Sequence, residues 1–327
     1  MSLLTQRIFS VLLCLAAKTE RLVLCRAQHE DSSLLNRIIS LAAAGEYGEG
    51  VLPNCSTIFF HDSGTIGLTD TTTDYALVRN LKCLHLRRSI GYISFPPQDL
   101  TWASRLRELR LISCVDAKDM FRICKGAVRL RNLSLIMTKP SDIFRPLPPE
   151  GEDLNCALLQ RANTLKILEL RTCQNTWFIG QLGPTRRLDC CPRLTKLKML
   201  IIDIPLLFNL DIEEPSVSFL DRLPPNLVSL SLAELWWRPR SPSSLEARRI
   251  KALLEMFALH ADSILPSLDE LQYIHSRIRT CLSSRQIYEI WERFSPIIPK
   301  FTCDKDFLPR EYFTPLLTPR RIRCRTI

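Results

Sequence analysis

The stretch Leu-x-x-Leu-x-Leu-x-x-Cys occurs twice in this chain, as Leu106, Leu109, Leu111 and Cys114 and again as Leu165, Leu168, Leu170 and Cys173. Alternating residues of a strand point to opposite faces, so the Leu-x-Leu part sends both leucines to one face. The leading leucine reaches the same core from the approach to the strand. The small cysteine falls where the chain turns away, with a side chain able to bond backbone groups there. Such a segment is too short to bury its own apolar face. Two full copies in one chain therefore call for stacked neighbours, which bury together what a single unit cannot.

Degenerate copies flank these two. Leu81, Leu84, Leu86 and Ser89 fit the frame, as do Leu130, Leu133, Leu135 and Thr138, then Leu194, Leu197 and Met199, then Leu227, Leu230 and Leu232, then Leu268, Leu271, Tyr273 and Ser276. Weaker versions stand at Leu22 and Leu24, at Cys55, Ile58 and Phe60, and at Ile298, Phe301 and Cys303. With the second apolar position as the ruler, the steps from residue 58 to 84, 84 to 109 and 109 to 133 are 26, 25 and 24 residues, and those from 133 onward are 35, 29, 33, 41 and 30. The short steps match the period of leucine-rich repeats, and the long ones mark insertions on the return path. The expected fold is an α/β leucine-rich repeat solenoid: a curved parallel sheet with helices and loops on the convex side. About ten irregular repeats fill residues 1–303, and residues 304–327 form a basic tail. Strand centres are expected near residues 23, 59, 85, 110, 134, 169, 198, 231, 272 and 302. Cys114 and Cys173 are expected to be buried and reduced.

The returns read as helices. Asp116 to Lys125 places Met120, Ile123 and Cys124 on one face. Ser244 to His260 does the same with Leu245, Ile250, Leu253, Leu254 and Phe257, and Ser284 to Phe294 with Ile287, Ile290 and Trp291. Leu4 to Ala16 reads as an amphipathic helix leading into the first strand, in preference to a signal peptide over Ile8 to Ala17. The prolines of Lys139–Asp153 and of Trp236–Pro242 mark exposed loops. No apolar run reaches the ~20 residues that span a bilayer.

Thirteen cysteines, an odd number, argue against a disulfide framework and for a reducing cytoplasm or nucleus. No Cys-x-x-Cys occurs, and the adjacent Cys190 and Cys191 read as buried thiols, not zinc ligands. With ten glycines and no nucleotide-binding, serine-hydrolase or zinc-protease signature, the chain is read as a binding protein without catalytic residues, cofactor or metal. His61-Asp62-Ser63 does not make a triad, whose members meet through the fold.

If Leu84 and Leu86 point inward, the neighbouring strand positions face outward. That puts Lys82, His85 and Arg87, then Arg107, Arg110 and Ile112, then Arg131, Ser134 and Ile136, then Lys166, Glu169 and Arg171, then Lys196, Lys198 and Leu200 toward the open side. The expected binding surface is Arg87, Arg110, Arg171 and Lys198, with Trp236 and Trp237 at its rim, and the expected partner is a protein with an acidic surface. The formal charge of +10 and the tail Arg320-Arg321-Ile322-Arg323 suggest nonspecific nucleic-acid binding as the alternative. The chain carries none of the common nucleic-acid-binding signatures.

With these segments in hand, the chain resembles the leucine-rich repeat portion of fungal F-box-like proteins. Leu13 to Leu24 looks like the opening helix and first strand. Cys191-Pro192-Arg193-Leu194-Thr195-Lys196-Leu197 and Pro224-Pro225-Asn226-Leu227-Val228-Ser229-Leu230 look like that family's strand approaches, and the likeness covers roughly residues 3–303. The resemblance implies substrate recognition for a cullin-type ubiquitin ligase. The F-box that docks a Skp-type adaptor is expected to be missing, because the first repeat begins almost at Met1. The adaptor is then a partner only where an F-box precedes this segment.

Overall fold

The computed structural model describes residues 19–26, 54–62, 80–93, 95, 100–137, 153–172, 188–208, 214–234, 245–274, 282, 285–286, 289–290, 292 and 300–304. Its architecture is α/β. Ten strands form one sheet in chain order: β1 Arg21–Arg26, β2 Thr57–Asp62, β3 Cys83–Tyr92, β4 Glu108–Cys114, β5 Asn132–Met137, β6 Ile167–Thr172, β7 Met199–Asp203, β8 Ser229–Ala233, β9 Glu270–Ile274 and β10 Lys300–Asp304. All nine pairings are parallel. Parallel neighbours require a crossover, and where the connections are described, helices and turns supply it.

The register explains why leucine recurs. Leu22, Ile58, Leu84, Leu109, Leu133, Leu168, Leu200, Leu230, Leu271 and Phe301 pair successively across the sheet. From Leu84 to Leu271 every member of this row is at most 1% exposed. A second row two residues on, from Leu86 through Leu111, Leu135, Leu170, Ile202 and Leu232 to Tyr273, is at most 5% exposed. A third lies two residues ahead of the strands, as Cys55, Leu81, Leu106, Leu130, Leu165, Leu197, Leu227 and Leu268, none above 9%. Full burial of one leucine is worth roughly 1.5–3 kcal/mol, so these rows are the principal apolar contribution to the stack.

Among the described residues, the helices α1 Ala117–Gly126, α2 Leu154–Leu159, α3 Ile204–Leu207 and α4 Leu245–Ile264, with several short turns, join the same apolar cluster. Asp116 caps α1 by accepting from the Asp119 amide at 2.7 Å, and Asp153 caps α2 by accepting from the Cys156 amide at 2.9 Å. Met120, Ile123 and Cys124 of α1 are fully buried, and Ile250, Leu253, Leu254 and Phe257 of α4 lie inside. Leu245, expected inside, is 52% exposed because it begins the helix ahead of the covered stretch. Asp119 is itself buried on α1, accepts from the Phe95 amide at 3.0 Å and pairs with Arg122 at 3.1 Å. Burial, with Asp116 nearby, pushes its carboxyl up to about 6.

One expected strand is misplaced by three residues. The frame Leu194, Leu197, Met199 put a strand near residue 198, but β7 begins at Met199, and Leu200, not Leu197, pairs with Leu168 and Leu230. The 3-10 turn Cys191–Arg193 precedes it. A turn with three residues per revolution repeats an apolar position every third residue, so Leu194 and Leu197 imitate the start of the motif. In the corrected register the steps Leu168 to Leu200 and Leu200 to Leu230 are 32 and 30 residues.

The side chain of Cys114, all of Cys173, the segment Leu4–Ala16, the Lys139–Glu150 and Trp236–Pro242 loops, and the tail from residue 305 lie outside the described residues. The same holds for Ile287 and Trp291, whereas Ile290 is buried. No helix among the described residues is long and apolar enough to cross a membrane.

Candidate functional site on the sheet

The helix-covered side of the sheet is closed by the leucine rows. The other side, the open face, carries the positions between them. Its central row runs in register as Phe59, His85, Arg110, Ser134 and Glu169, then Ile201, Ser231 and Gln272. From Phe59 to Ile201 these side chains are half-buried.

Polar groups on this face meet one another across strands. His85 Nε2 lies 2.7 Å from Glu108 Oε1, and this hydrogen bond is the chief cause holding the Glu108 carboxyl below its usual range. Ser134 donates to Glu169 Oε2 at 2.6 Å, and Arg171 stands 3.9 Å from Glu169 Oε1. Ser229 donates to Glu270 at 2.9 Å, and Ser231 to Gln272 at 3.0 Å. Toward β1, the Phe59 ring packs edge-on against His85 with centroids 4.3 Å apart, and the Arg21 guanidinium lies 4.1 Å over Phe59. Cross-strand pairs of this kind contribute roughly 0.2–1 kcal/mol each. The face is therefore largely matched within itself.

The expected binding residues separate on this geometry. Arg87, Arg110 and Arg171 share the open face, with Arg87 and Arg110 half-buried and Arg171 9% exposed. Lys198 does not join them. It precedes β7, exposed, at the edge where the chain runs into the strands. Leu200, expected to face outward with it, is buried because it stands in the inward leucine row, and Ile136, expected outward on β5, is buried as well. Trp236 and Trp237 lie outside the described residues.

Lys198 belongs instead to a column along that leading edge. The backbone defines it. Arg107 N donates to Lys82 O at 2.7 Å, Arg131 N to Arg107 O at 2.8 Å, Lys166 N to Arg131 O at 2.7 Å and Lys198 N to Lys166 O at 2.8 Å. Lys82, Arg107, Arg131, Lys166 and Lys198 thus sit on five successive rungs, about 4.8 Å apart. All five are exposed, and none forms an ion pair with another described residue. The rungs beyond are Ser56 and Glu20 on one side, and Val228 and Asp269 on the other. Like charges at neighbouring rungs repel weakly in water and less as salt rises.

The column has a plain signature. Each of five consecutive motifs opens with leucine followed at once by a cation: Leu81-Lys82, Leu106-Arg107, Leu130-Arg131, Leu165-Lys166 and Leu197-Lys198. Strict alternation groups these cations with the open-face residues, because it ignores the change of direction as the chain turns into each strand.

Cys190 and Cys191 are buried, and burial pushes Cys190 up to about 12 and Cys191 well above its ordinary value. Among the described residues no group of three His, Cys, Asp or Glu is placed to hold a metal. What the sheet offers chemically is two surfaces for recognition, one internally paired and one cationic. Neither a family model nor a curated protein matches this chain.

Proposed function

We propose that the chain is a leucine-rich repeat solenoid that acts as a protein-interaction module, docking a partner protein on the side of the sheet that the helices leave open. The observation that carries the reading is the in-register open face from β2 to β7, where Phe59, His85, Arg110, Ser134, Glu169 and Ile201 form one continuous half-buried row. Stacked repeats offer extended surfaces of this kind to macromolecules. The Leu-x-x-Leu-x-Leu frames falling into common rows support the repeat class. Substrate recognition within a ubiquitin ligase is the specific role that the F-box-like resemblance adds.

Site-specific photocrosslinking tests the proposal. A photoreactive residue at Ser134 or Ile201 should yield a common adduct from cells, while one at Lys118, exposed on α1, should not. A partner adduct from Lys118 with none from the open face would overturn the reading.

A further inference from the structure

The geometry points to the leading-edge column as a docking rail for an acidic amphipathic helix, with Lys82, Arg107, Arg131, Lys166 and Lys198 each meeting a carboxylate of one helical stripe. This inference goes beyond open-face docking: it names a second surface of the interaction module and the chemistry of the partner it fits.

The argument is one of spacing. Four steps between five rungs cover about 19 Å at the strand separation of a sheet. A helix with carboxylates at i, i+4, i+7, i+11 and i+14 spreads them over about 21 Å, at 1.5 Å per residue. The mismatch, about 2 Å over the whole rail, is within the play of Lys and Arg side chains. An extended peptide with carboxylates on alternate residues needs about 27 Å for the same five and falls out of step before the end. The helical stripe is the nearer match.

The neighbours of the column favour polypeptide over nucleic acid. The next residue inward on each rung is Cys83, Glu108, Asn132, Ile167 or Met199, all half-buried. None of these five is aromatic, so among the described residues bordering the column there is no platform on which bases could stack. Ile167 and Met199 give its β6–β7 end an apolar border, suited to the flank of an amphipathic helix. The rail is also bounded: Glu20 and Asp269 stand at the outermost rungs and would repel a longer acidic run.

The test is fluorescence anisotropy with the full chain and four probes. These are a helical peptide with five glutamates in the stripe above, a peptide of the same composition with its glutamates scattered around the helix, an extended peptide with glutamate at alternate residues, and an oligothymidylate. The striped helix should bind at least about tenfold more tightly than the other three and weaken as salt rises, because the contacts are exposed charges. Arg107→Glu with Arg131→Glu and Lys166→Glu should abolish its binding while circular dichroism stays unchanged. Should that variant fail to fold, Lys82→Gln with Lys166→Gln and Lys198→Gln should still lower affinity at least about tenfold. Equal binding of striped and scattered helices, tighter binding of the extended peptide or the oligothymidylate, or undiminished binding by the variants would each overturn the rail. Open-face crosslinks at Ser134 and Ile201 are independent of these residues, so loss of the rail with those crosslinks intact would leave the interaction module standing.

Discussion

The cations of the open face and those of the leading edge occupy the same strands a few residues apart, yet they are built in opposite ways. On the face, Arg171 is almost buried near Glu169, and His85 shares a hydrogen bond with Glu108. On the edge, five exposed cations stand in a row with no described carboxylate paired to them. The difference teaches that counting Lys and Arg says little about where a repeat protein is cationic. Register and the neighbouring rung decide it.

The largest effect should come from reversing a cation on the face. Arg171→Glu removes the pairing with Glu169 and sets two carboxylates together in a nearly buried place, which should cost about 3 kcal/mol in urea unfolding. Next, Glu169→Ala should cost about 1–3 kcal/mol, since Ser134 loses its acceptor and Arg171 the carboxylate 3.9 Å away. The same reversal on the edge should act with the opposite sign. Arg131→Glu inserts a carboxylate between Arg107 and Lys166 and should stabilise by about 0.2–1 kcal/mol. A loss of stability on Arg131→Glu would show that the column already has an anionic neighbour, and the contrast between the two regions would collapse. The smallest effect concerns salt. Going from 0.01 to 1 M shortens the screening length from about 30 to about 3 Å. The gain in stability should therefore be larger by a few tenths of a kcal/mol for the unmodified chain than for Arg131→Glu, as read from paired unfolding curves at each salt concentration.

Nine of the ten strands were legible in the sequence because one buried leucine per repeat must fall in register with the next. The exception, β7, was displaced where the turn Cys191–Arg193 copies the motif's spacing and the residues Leu194, Leu197 and Leu200 offer two equivalent frames. The helix α1 was legible to within a residue at each end, its apolar face and its Asp116 cap being local properties. The candidate surface was less so. Arg87, Arg110 and Arg171 reach the open face as alternation dictates, but Lys198 lies ahead of its strand, where alternation no longer sets direction. Pairing across rungs, such as Ser134 with Glu169, depends on which residue a neighbouring strand brings opposite, and that follows only once the register is known.

The third leucine row has a consequence for how such a chain tolerates change in length. Leu81, Leu106, Leu130, Leu165, Leu197, Leu227 and Leu268 each stand two residues ahead of a strand, although successive repeats vary from 24 residues (Leu109 to Leu133) to 41 (Leu230 to Leu271). The approach to each strand is thus of constant gauge, and the slack is taken up elsewhere in the repeat. Insertions can accumulate on the return path without disturbing the phase of what is displayed at the leading edge. The edge behaves as a graduated scale whose marks stay aligned while the material behind them grows or shrinks, so charge written there once per repeat remains readable as a single line.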